Sequence, residues 1–258
     1  MSDELRRFAL DLLNETDAIV LRHVRGGLDV RTKADSTFVT QVDTEVETHI
    51  RERIAAAYPG HGVLGEEFGS KGGERETRWI VDPIDGTNNL VRGIPVYATL
   101  LAVEDAAGLV AAAISAPALS RRWSASRGGG ATVRDLLGER PIHVSSVDQL
   151  EHAQLITSGL RPMEAAGFAE VMSRLRTAAW RDRGFGDFWG YMLVAEGAAD
   201  MVLEIGVRAW DLAAPALIVR EAGGQLTDFK GMPSFVGPQS LATNGRLHDL
   251  VLAELERG

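Results

Sequence analysis

The segment Asp82-Pro83-Ile84-Asp85-Gly86-Thr87 directly follows an apolar triplet, Trp79-Ile80-Val81. The triplet predicts a short buried strand, so two carboxylates leave the end of that strand together. Pro83 fixes one backbone φ angle and removes one N–H group, while Gly86 lets the backbone approach a ligand closely. The amides of Gly86 and Thr87 can point at an anion, as amides at helix N-termini do. The segment therefore offers the cation ligands and anion donors that a metal-dependent phosphate site needs.

The same segment also has a simpler interpretation as a turn. Asp-Pro and Asp-Gly pairs are common turn formers, and a lone motif of this type is often just a loop. The rest of the chain has to decide between a turn and a metal site.

Composition excludes several classes of function. The chain has 258 residues, 45% of them hydrophobic and 24% charged, as in an ordinary globular protein. Its net charge of -9 argues against generic binding to nucleic acid or an anionic membrane, since both favour a basic face. The absence of cysteine excludes disulfides and thiolate metal sites. Neither a signal peptide nor an apolar run of about 18 residues is visible, so a cytoplasmic protein is expected.

Apolar periodicity predicts layers of helix and sheet. A helix is expected up to Gly26-Gly27, and a second is expected after the cap residue Thr40. Two apolar runs, 97–103 and 109–115, predict a β-hairpin. The second half alternates strand and helix, including one helix over 163–175. This organisation predicts the α+β class.

Further carboxylates stand at element ends. Glu66 follows the short predicted strand Val63-Leu64, as Asp82 follows its own strand. Asp211 lies at the start of a later helix, where a carboxylate also serves as a plain N-cap. If these carboxylates and Asp85 meet at one edge, such hard oxygen ligands select Mg²⁺ or Mn²⁺ over Zn²⁺. Without a cation they would repel one another.

Four pieces of the chain match one family in order and spacing, over about residues 33 to 224. They are Gly65-Glu66-Glu67, the segment from Asp82 to Thr87, Trp210-Asp211-Leu212-Ala213-Ala214 with Glu221-Ala222-Gly223-Gly224, and Lys33 with Val39-Thr40 and Asp43. In these pieces the chain resembles the inositol monophosphatase-like, Mg²⁺-dependent phosphatases. The resemblance implies an αβαβα sandwich of the inositol monophosphatase and fructose-1,6-bisphosphatase type. It also implies a single domain over 1–258, with an α+β half to about 145 and an α/β half from about 146, and a homodimer.

The resemblance also implies a cluster of two or three Mg²⁺ ions, with Mn²⁺ as a substitute. Glu66, Asp82 and the carbonyl of Ile84 would hold the first ion. Asp82, Asp85 and Asp211 would hold the second, and a third, weaker ion would again use Glu66.

Other matched residues would act on water and on phosphate. Thr87 and Asp43 correspond to the pair that helps to orient the attacking water, and Glu66 would contribute to catalysis through its metals. The amides of Gly86 and Thr87 would bind the phosphate. Lys33 belongs to a loop that the resemblance places over the metals.

The stretch Gly186-Asp187-Phe188-Trp189 bears on the substrate, because inositol monophosphatases usually carry Gly-Ser-Ala-Ala there. The pattern resembles the histidinol-phosphate phosphatase branch of the superfamily. Histidinol is a cation near neutral pH, so Asp187 and Glu204 could pair with it, at about 1.5–3 kcal/mol for a charge-assisted hydrogen bond. Trp189 could stack on the imidazole, and Arg183 and Asp211 are further candidates for substrate contact.

Each of these substrate residues also has an ordinary interpretation. Asp187 could cap a helix that starts at Phe188, and Trp189 could belong to the core. Arg183 could face the phosphate, a partner subunit or solvent. A glutamate at the position of Glu204 also occurs in inositol phosphatases.

Three functions therefore remain. The first is hydrolysis of histidinol phosphate in histidine biosynthesis, and the second is hydrolysis of inositol or sugar monophosphates by the same metals. The third is a catalytically idle regulatory protein on the same fold. The intact set of carboxylates argues against the third, because an idle site would not need it.

Overall fold

The structure, a computed structural model, describes residues 2–32, 38–71 and 76–257. The chain divides into two units, Met1–Arg140 and Pro141–Gly258. Buried apolar side chains form one cluster among residues 5–113 and another among residues 153–255. Each unit thus has the core that an independent layer of helix and sheet requires.

The first unit contains most of the strands. Its elements are α1 (Ser2–Gly26), β1 (Val30–Thr32), β2 (Phe38–Thr40), α2 (Gln41–Ala57), β3 (Gly62–Gly65), β4 (Gly69–Lys71), β5 (Arg78–Asp85), α3 (Thr87–Val91), β6 (Ala98–Asp105), β7 (Gly108–Ala116), β8 (Arg121–Ser126), β9 (Ala131–Asp135) and β10 (Gly138–Ile142).

Eight of these strands form one sheet in the order β10-β9-β8-β7-β6-β5-β3-β4. Strands β3 and β5 run parallel, and the ladder from β5 through β9 is antiparallel. Helices α1 and α2 pack on the sheet through apolar residues at helical spacing, which share a buried cluster with Trp79 and Val81 of β5. The end of β5 is therefore held by its neighbouring strands β6 and β3 and by the two helices that pack on the sheet.

Helix α2 starts where the sequence places it. The hydroxyl of Thr40 accepts the backbone N–H of Val42 at 3.1 Å, and the Asp43 carboxylate accepts the N–H of Thr40 at 2.7 Å. This reciprocal arrangement satisfies two donors at the helix start. It also fixes the direction of Asp43, which becomes important in the site.

The predicted hairpin is confirmed, since β6 and β7 pair antiparallel from Thr99–Ser115 to Asp105–Gly108. The sequence analysis did not predict strands β9 and β10, which are neighbours in the sheet. Leu136 and Leu137 between them are almost fully exposed, so two apolar residues stand there without being buried.

The second unit alternates strand and helix, as expected. Its elements are β11 (Gln154–Thr157), α4 (Leu160–Ala165), α5 (Ala169–Ala178), β12 (Arg181–Arg183), α6 (Asp187–Ala195), β13 (Met201–Ile205), α7 (Ala209–Glu221), β14 (Gln225–Thr227), β15 (Gln239–Thr243) and α8 (His248–Glu256).

These five strands form a sheet in the order β12-β11-β13-β15-β14. Strand β13 shows how its two faces differ. Met201 and Leu203 join the core cluster that α4, α5 and α8 cover. Val202 lies against Gly190 of α6, on the other face. Because side chains alternate along a strand, Glu204 lies on the same face as Val202.

The prediction of a single helix over 163–175 is wrong. Helix α4 ends at Ala165 and α5 begins at Ala169. Gly167 between them has φ +89, a left-handed conformation that stops a helix. The apolar residues Met163, Val171 and Leu175 nevertheless join one core, which explains the continuous pattern.

Among the helices that the structure describes, none combines the length and the apolar character that crossing a bilayer requires.

Candidate active site

Asp82 and Asp85 lie where strand β5 becomes irregular. In a regular strand, residues three apart would point to opposite faces. Here the pairing with β6 shifts register between Asp82, opposite Leu100, and Asp85, opposite Ala98. A carboxylate oxygen of each lies within 4.8 Å of the other. Both residues are buried, with exposed fractions of 1% and 7%, so two acidic groups share a region from which water is largely excluded.

Pro83 supports this irregularity. It has no N–H to give to the ladder, so its place in a shift of register costs no backbone hydrogen bond. Its carbonyl accepts the hydroxyl of Thr99 on β6 at 2.8 Å. The shift is thus held by a side chain of the neighbouring strand.

Thr87 lies between two acceptors. Its Oγ1 is 3.0 Å from Asp43 Oδ1 and 2.8 Å from the carbonyl oxygen of Ile84. Asp43 is fully buried, and its Oδ2 accepts the hydroxyl of Thr40 at 2.6 Å. Because both neighbours of Thr87 are acceptors, its single hydroxyl proton is directed to them. The lone pairs of Oγ1 are then able to accept a hydrogen bond from a water molecule.

Gly86 connects the strand to α3 in a left-handed conformation with φ +81. A Cβ at this position would lie 2.8 Å from the carbonyl oxygen of Val96. The backbone between Asp85 and Thr87 can therefore follow this path only with glycine.

Glu66 lies in a turn that a second glutamate supports. Glu47 of α2 is completely buried and accepts the backbone N–H groups of Glu67 at 2.7 Å and Phe68 at 3.2 Å. Arg51, one turn further along α2, donates to Glu47 at 2.8 Å and offsets its charge. The N–H of Glu66 itself bonds to the carbonyl of Val81 at 3.2 Å, which ties the turn to β5.

Glu47 is a residue that the sequence analysis missed. It lies four positions after Asp43, so both carboxylates occupy the same face of α2. An acidic residue between the buried positions Val46 and Ile50 was the available signal.

In the second unit, Asp211 and Glu204 occupy fixed positions. Asp211 is the third residue of α7, and its Oδ2 accepts the N–H of Arg208 at 2.6 Å. The side chain of Asp211 thus accepts from the backbone of the N-cap residue, Arg208, and Asp211 is not itself the N-cap. Glu204 is buried, and burial raises its pKa well above the ordinary value, with the charge of Asp187 adding to the effect.

Asp187 does not occupy the N-cap position that one interpretation gave it. Gly186 takes the N-cap position and makes no side-chain cap bond, while Asp187 is the first residue of α6. The N–H of Asp187 donates to Glu204 Oε1 at 2.9 Å. Asp187 also has a left-handed φ of +52.

The aromatic residues of α6 separate by burial. Phe188 and Tyr191 are core residues, each 1% exposed, whereas Trp189 is half-buried. Arg183 is exposed and donates to the carbonyl of Asp182 at 2.7 Å. Lys33, the remaining candidate, lies outside the described residues.

The inositol monophosphatase family model matches residues 1–258. The chain belongs to the inositol monophosphatase family. The histidinol-phosphatase of Mycobacterium tuberculosis (strain ATCC 25618 / H37Rv) is 46% identical over 263 residues, which cover 100% of both chains. The histidinol-phosphatase of Streptomyces coelicolor (strain ATCC BAA-471 / A3(2) / M145) is 43% identical and covers 99% of this chain and 97% of its own.

The fold is that of solved members of the inositol monophosphatase family. The IMPase TM1415 of Thermotoga maritima superposes with a TM-score of 0.87 at 29% identity, covering 99% of this chain and 97% of its own. The expected α+β fold of the inositol monophosphatase type is therefore confirmed.

The donor set of the first unit fits a divalent cation. Asp82 and Asp85 offer carboxylate oxygens, which are the ligands that Mg²⁺ and Mn²⁺ prefer. Two buried carboxylates this close to each other repel, and a bound cation removes that cost. No thiolate competes, because the chain has no cysteine.

Proposed function

We propose that this family member hydrolyses histidinol phosphate, with Mg²⁺ as its metal, to histidinol and inorganic phosphate in histidine biosynthesis. The protein is a phosphoric monoester hydrolase. The observation that carries the substrate assignment is the half-buried Asp187 at the start of α6, in the stretch Gly186-Asp187-Phe188-Trp189 that resembles the histidinol-phosphate phosphatases. The identity of 46% to a histidinol-phosphatase supports the same assignment.

The first unit supplies the residues for hydrolysis. Bound Mg²⁺ ions would neutralise the phosphate, activate water and stabilise the leaving oxygen. Asp82, Asp85, Glu66 and the carbonyl of Ile84 would hold these ions. The resemblance adds Asp211 to the same set, and either two or three ions, with Mn²⁺ as a substitute.

Thr87 and Asp43 would orient the attacking water. Asp43 accepts from Thr87, so the Thr87 oxygen is left to accept a proton of the water and to direct a lone pair of that water at phosphorus. The water oxygen bonds to phosphorus, the ester P–O bond breaks, and the alcohol oxygen leaves with one of the protons of that water. The amides of Gly86 and Thr87 would bind the phosphate oxygens.

The second unit supplies the recognition of the alcohol. Histidinol carries a primary ammonium group and an imidazole, so a carboxylate at Asp187 attracts it more than it attracts a neutral polyol. Trp189, half-buried on the same helix, has a face that an imidazole could stack on. Arg183 and Asp211 are further candidates for contact with the substrate.

The test is phosphate release by the purified protein with Mg²⁺, measured in parallel on histidinol phosphate and inositol 1-phosphate. We expect a strong preference for histidinol phosphate, which Asp187→Asn should reduce much more than it reduces turnover of inositol 1-phosphate. Equal losses of turnover on the two esters would show that Asp187 does not select the cationic substrate. A preference for inositol 1-phosphate in the unaltered protein would overturn the substrate assignment.

The second candidate is hydrolysis of inositol or sugar monophosphates. The proposed metal and water residues would act on the phosphate, which all these esters share. The third candidate is a regulatory protein without catalysis, and it would show neither Mg²⁺ binding nor phosphate release. Calorimetric titration with Mg²⁺ separates it from both enzymes.

Other parts of the proposal follow from the family. We infer a homodimer, a cytoplasmic protein and a single functional domain over 1–258. The match of the family model to residues 1–258 supports a single domain. Its ligand would be a small phosphate monoester rather than nucleic acid or a membrane, in keeping with a net charge of -9.

A further inference from the structure

Glu204 and the backbone of Asp187 form a close contact that the proposed function leaves unexplained. Glu204 is only 3% exposed, and its Oε1 accepts the N–H of Asp187 at 2.9 Å. Strand alternation puts Glu204 on the face of the sheet that carries α6. The carboxylate is thus covered by the helix that carries Asp187, whereas Asp187 itself is only half-buried.

Gly186 makes this contact close. A Cβ on Gly186 would overlap Glu204 Oε1 and would lie 2.8 Å from the Cα of Ser158. Real Cβ atoms do not approach backbone this closely, so any side chain at 186 would push the backbone away from Glu204. Only glycine lets the segment rest on the carboxylate.

The segment on both sides of Gly186 is strained. Phe185 has φ +64 and Asp187 has φ +52, both in the left-handed region that L-residues disfavour. Helix α6 therefore begins with a residue in an unfavourable conformation, and the N–H of that residue has no partner within the helix. The bond to Glu204 satisfies this N–H and holds Asp187 in its conformation.

We propose that Glu204 is a positioning residue that acts through Asp187: it holds the left-handed start of α6, and the Asp187 carboxylate makes the contact with the cationic part of the substrate. This inference rests on the proposed function, because it concerns how that substrate is selected. It differs from the sequence-based expectation that both carboxylates bind the substrate.

The inference predicts that the acceptor oxygen at position 204 matters and the negative charge does not. Glu204→Gln keeps an amide oxygen that can accept the N–H of Asp187. Glu204→Ala removes the acceptor. The preference is the ratio of kcat/KM on histidinol phosphate to kcat/KM on inositol 1-phosphate, measured with Mg²⁺ for both variants and for the unaltered enzyme.

We expect Glu204→Gln to keep the preference within about threefold and Glu204→Ala to lower it by about tenfold or more, as for loss of a charge-assisted contact. In the Asp187→Asn background, Glu204→Ala should cause no further loss, because residues that act as one unit are not additive. Equal losses from Glu204→Gln and Glu204→Ala would overturn the inference, and so would additive losses in the double variant.

Hydrogen exchange of the Asp187 amide provides a readout that does not depend on the substrate. The amide should be protected in the unaltered protein and in Glu204→Gln, and it should exchange fast in Glu204→Ala, with thermal unfolding showing that each variant is folded. An amide that stays protected in Glu204→Ala would overturn the inference. If the unaltered enzyme shows no preference for histidinol phosphate, the proposed function fails, and the exchange result still decides the role of Glu204.

Discussion

The carboxylate of Glu47 fills the space that a side chain at Gly65 would occupy. A Cβ at Gly65 would overlap Glu47 Oε1 and lie 2.8 Å from Oε2. The same two oxygens accept the N–H groups of Glu67 and Phe68. The turn that presents Glu66 is therefore built directly on a buried carboxylate, as the start of α6 is built on Glu204.

Replacing Gly65 with alanine should disturb this turn. We expect Gly65→Ala to lower the free energy of unfolding by about 1–3 kcal/mol, since its Cβ must displace a buried ion pair. It should also weaken Mg²⁺ binding, because Glu66 would move. Gly60→Ala is the matched control: nothing lies within 4 Å of a Cβ there, and its effect should stay within about 0.5 kcal/mol. Urea unfolding and calorimetric Mg²⁺ titration measure both effects, and similar results for the two variants would contradict the role of Gly65.

Removing the Thr87 hydroxyl and removing the Asp82 carboxylate should have different effects on kcat and on Mg²⁺ binding. Thr87→Val removes the group that we expect to orient water, and kcat should fall by about 10²–10⁴-fold while Mg²⁺ still binds. Asp82→Asn removes a carboxylate that is 1% exposed and close to Asp85, so calorimetry should show that Mg²⁺ binding itself is lost. Loss of Mg²⁺ binding in Thr87→Val would show that the hydroxyl serves the metal site instead.

Removal of the metal should affect both activity and stability. Dialysis against EDTA should abolish phosphate release, and Mg²⁺ should restore it. Mg²⁺ should also raise Tm in proportion to the logarithm of its concentration, because a ligand of the folded state stabilises by mass action. The control is Asp82→Asn, whose Tm should not respond to Mg²⁺. If Mg²⁺ does not change the Tm of the unaltered protein, the proposed metal site is wrong.

His248 predicts a loss of stability in mild acid. Its imidazole is buried between the hydroxyls of Thr227 and Thr243, 3.0 Å from each, and burial lowers its pKa below the ordinary 6.5. As the pH falls, His248 is therefore protonated near pH 6.5 in the unfolded chain but only at a lower pH in the folded protein. The contribution of His248 to stability is present above this pH and is lost as the pH falls toward the folded pKa.

Urea unfolding at about pH 7.5 and about pH 5.5 tests the role of His248, since this interval brackets the ordinary histidine pKa. We expect His248→Gln to be less stable than the unaltered protein at the higher pH, by roughly 1 kcal/mol for a lost hydrogen bond, yet to lose less stability on acidification. His152, whose side chain is 66% exposed, is the control: His152→Gln should keep the pH dependence of the unaltered protein. An unchanged pH dependence in His248→Gln would show that other groups cause it.

The sequence by itself determined the features that depend on neighbouring residues. The Thr40 cap of α2 and the hairpin of β6 and β7 follow from short-range rules, and both are confirmed. The motif from Asp82 to Thr87 could also be interpreted from adjacent residues alone, because a strand end, a proline and a glycine specify how the backbone leaves the sheet.

Only the tertiary structure decided what lies beneath the two turns. The pairing of Glu47 with Gly65 spans 18 positions, and that of Glu204 with Gly186 also spans 18, too far for any periodic pattern to join them. The sequence indicated Glu204 as a candidate substrate ligand and did not single out Glu47. Burial gives both carboxylates a structural role, since a carboxylate removed from water must find N–H donors, and each finds them in the backbone of the segment that packs against it.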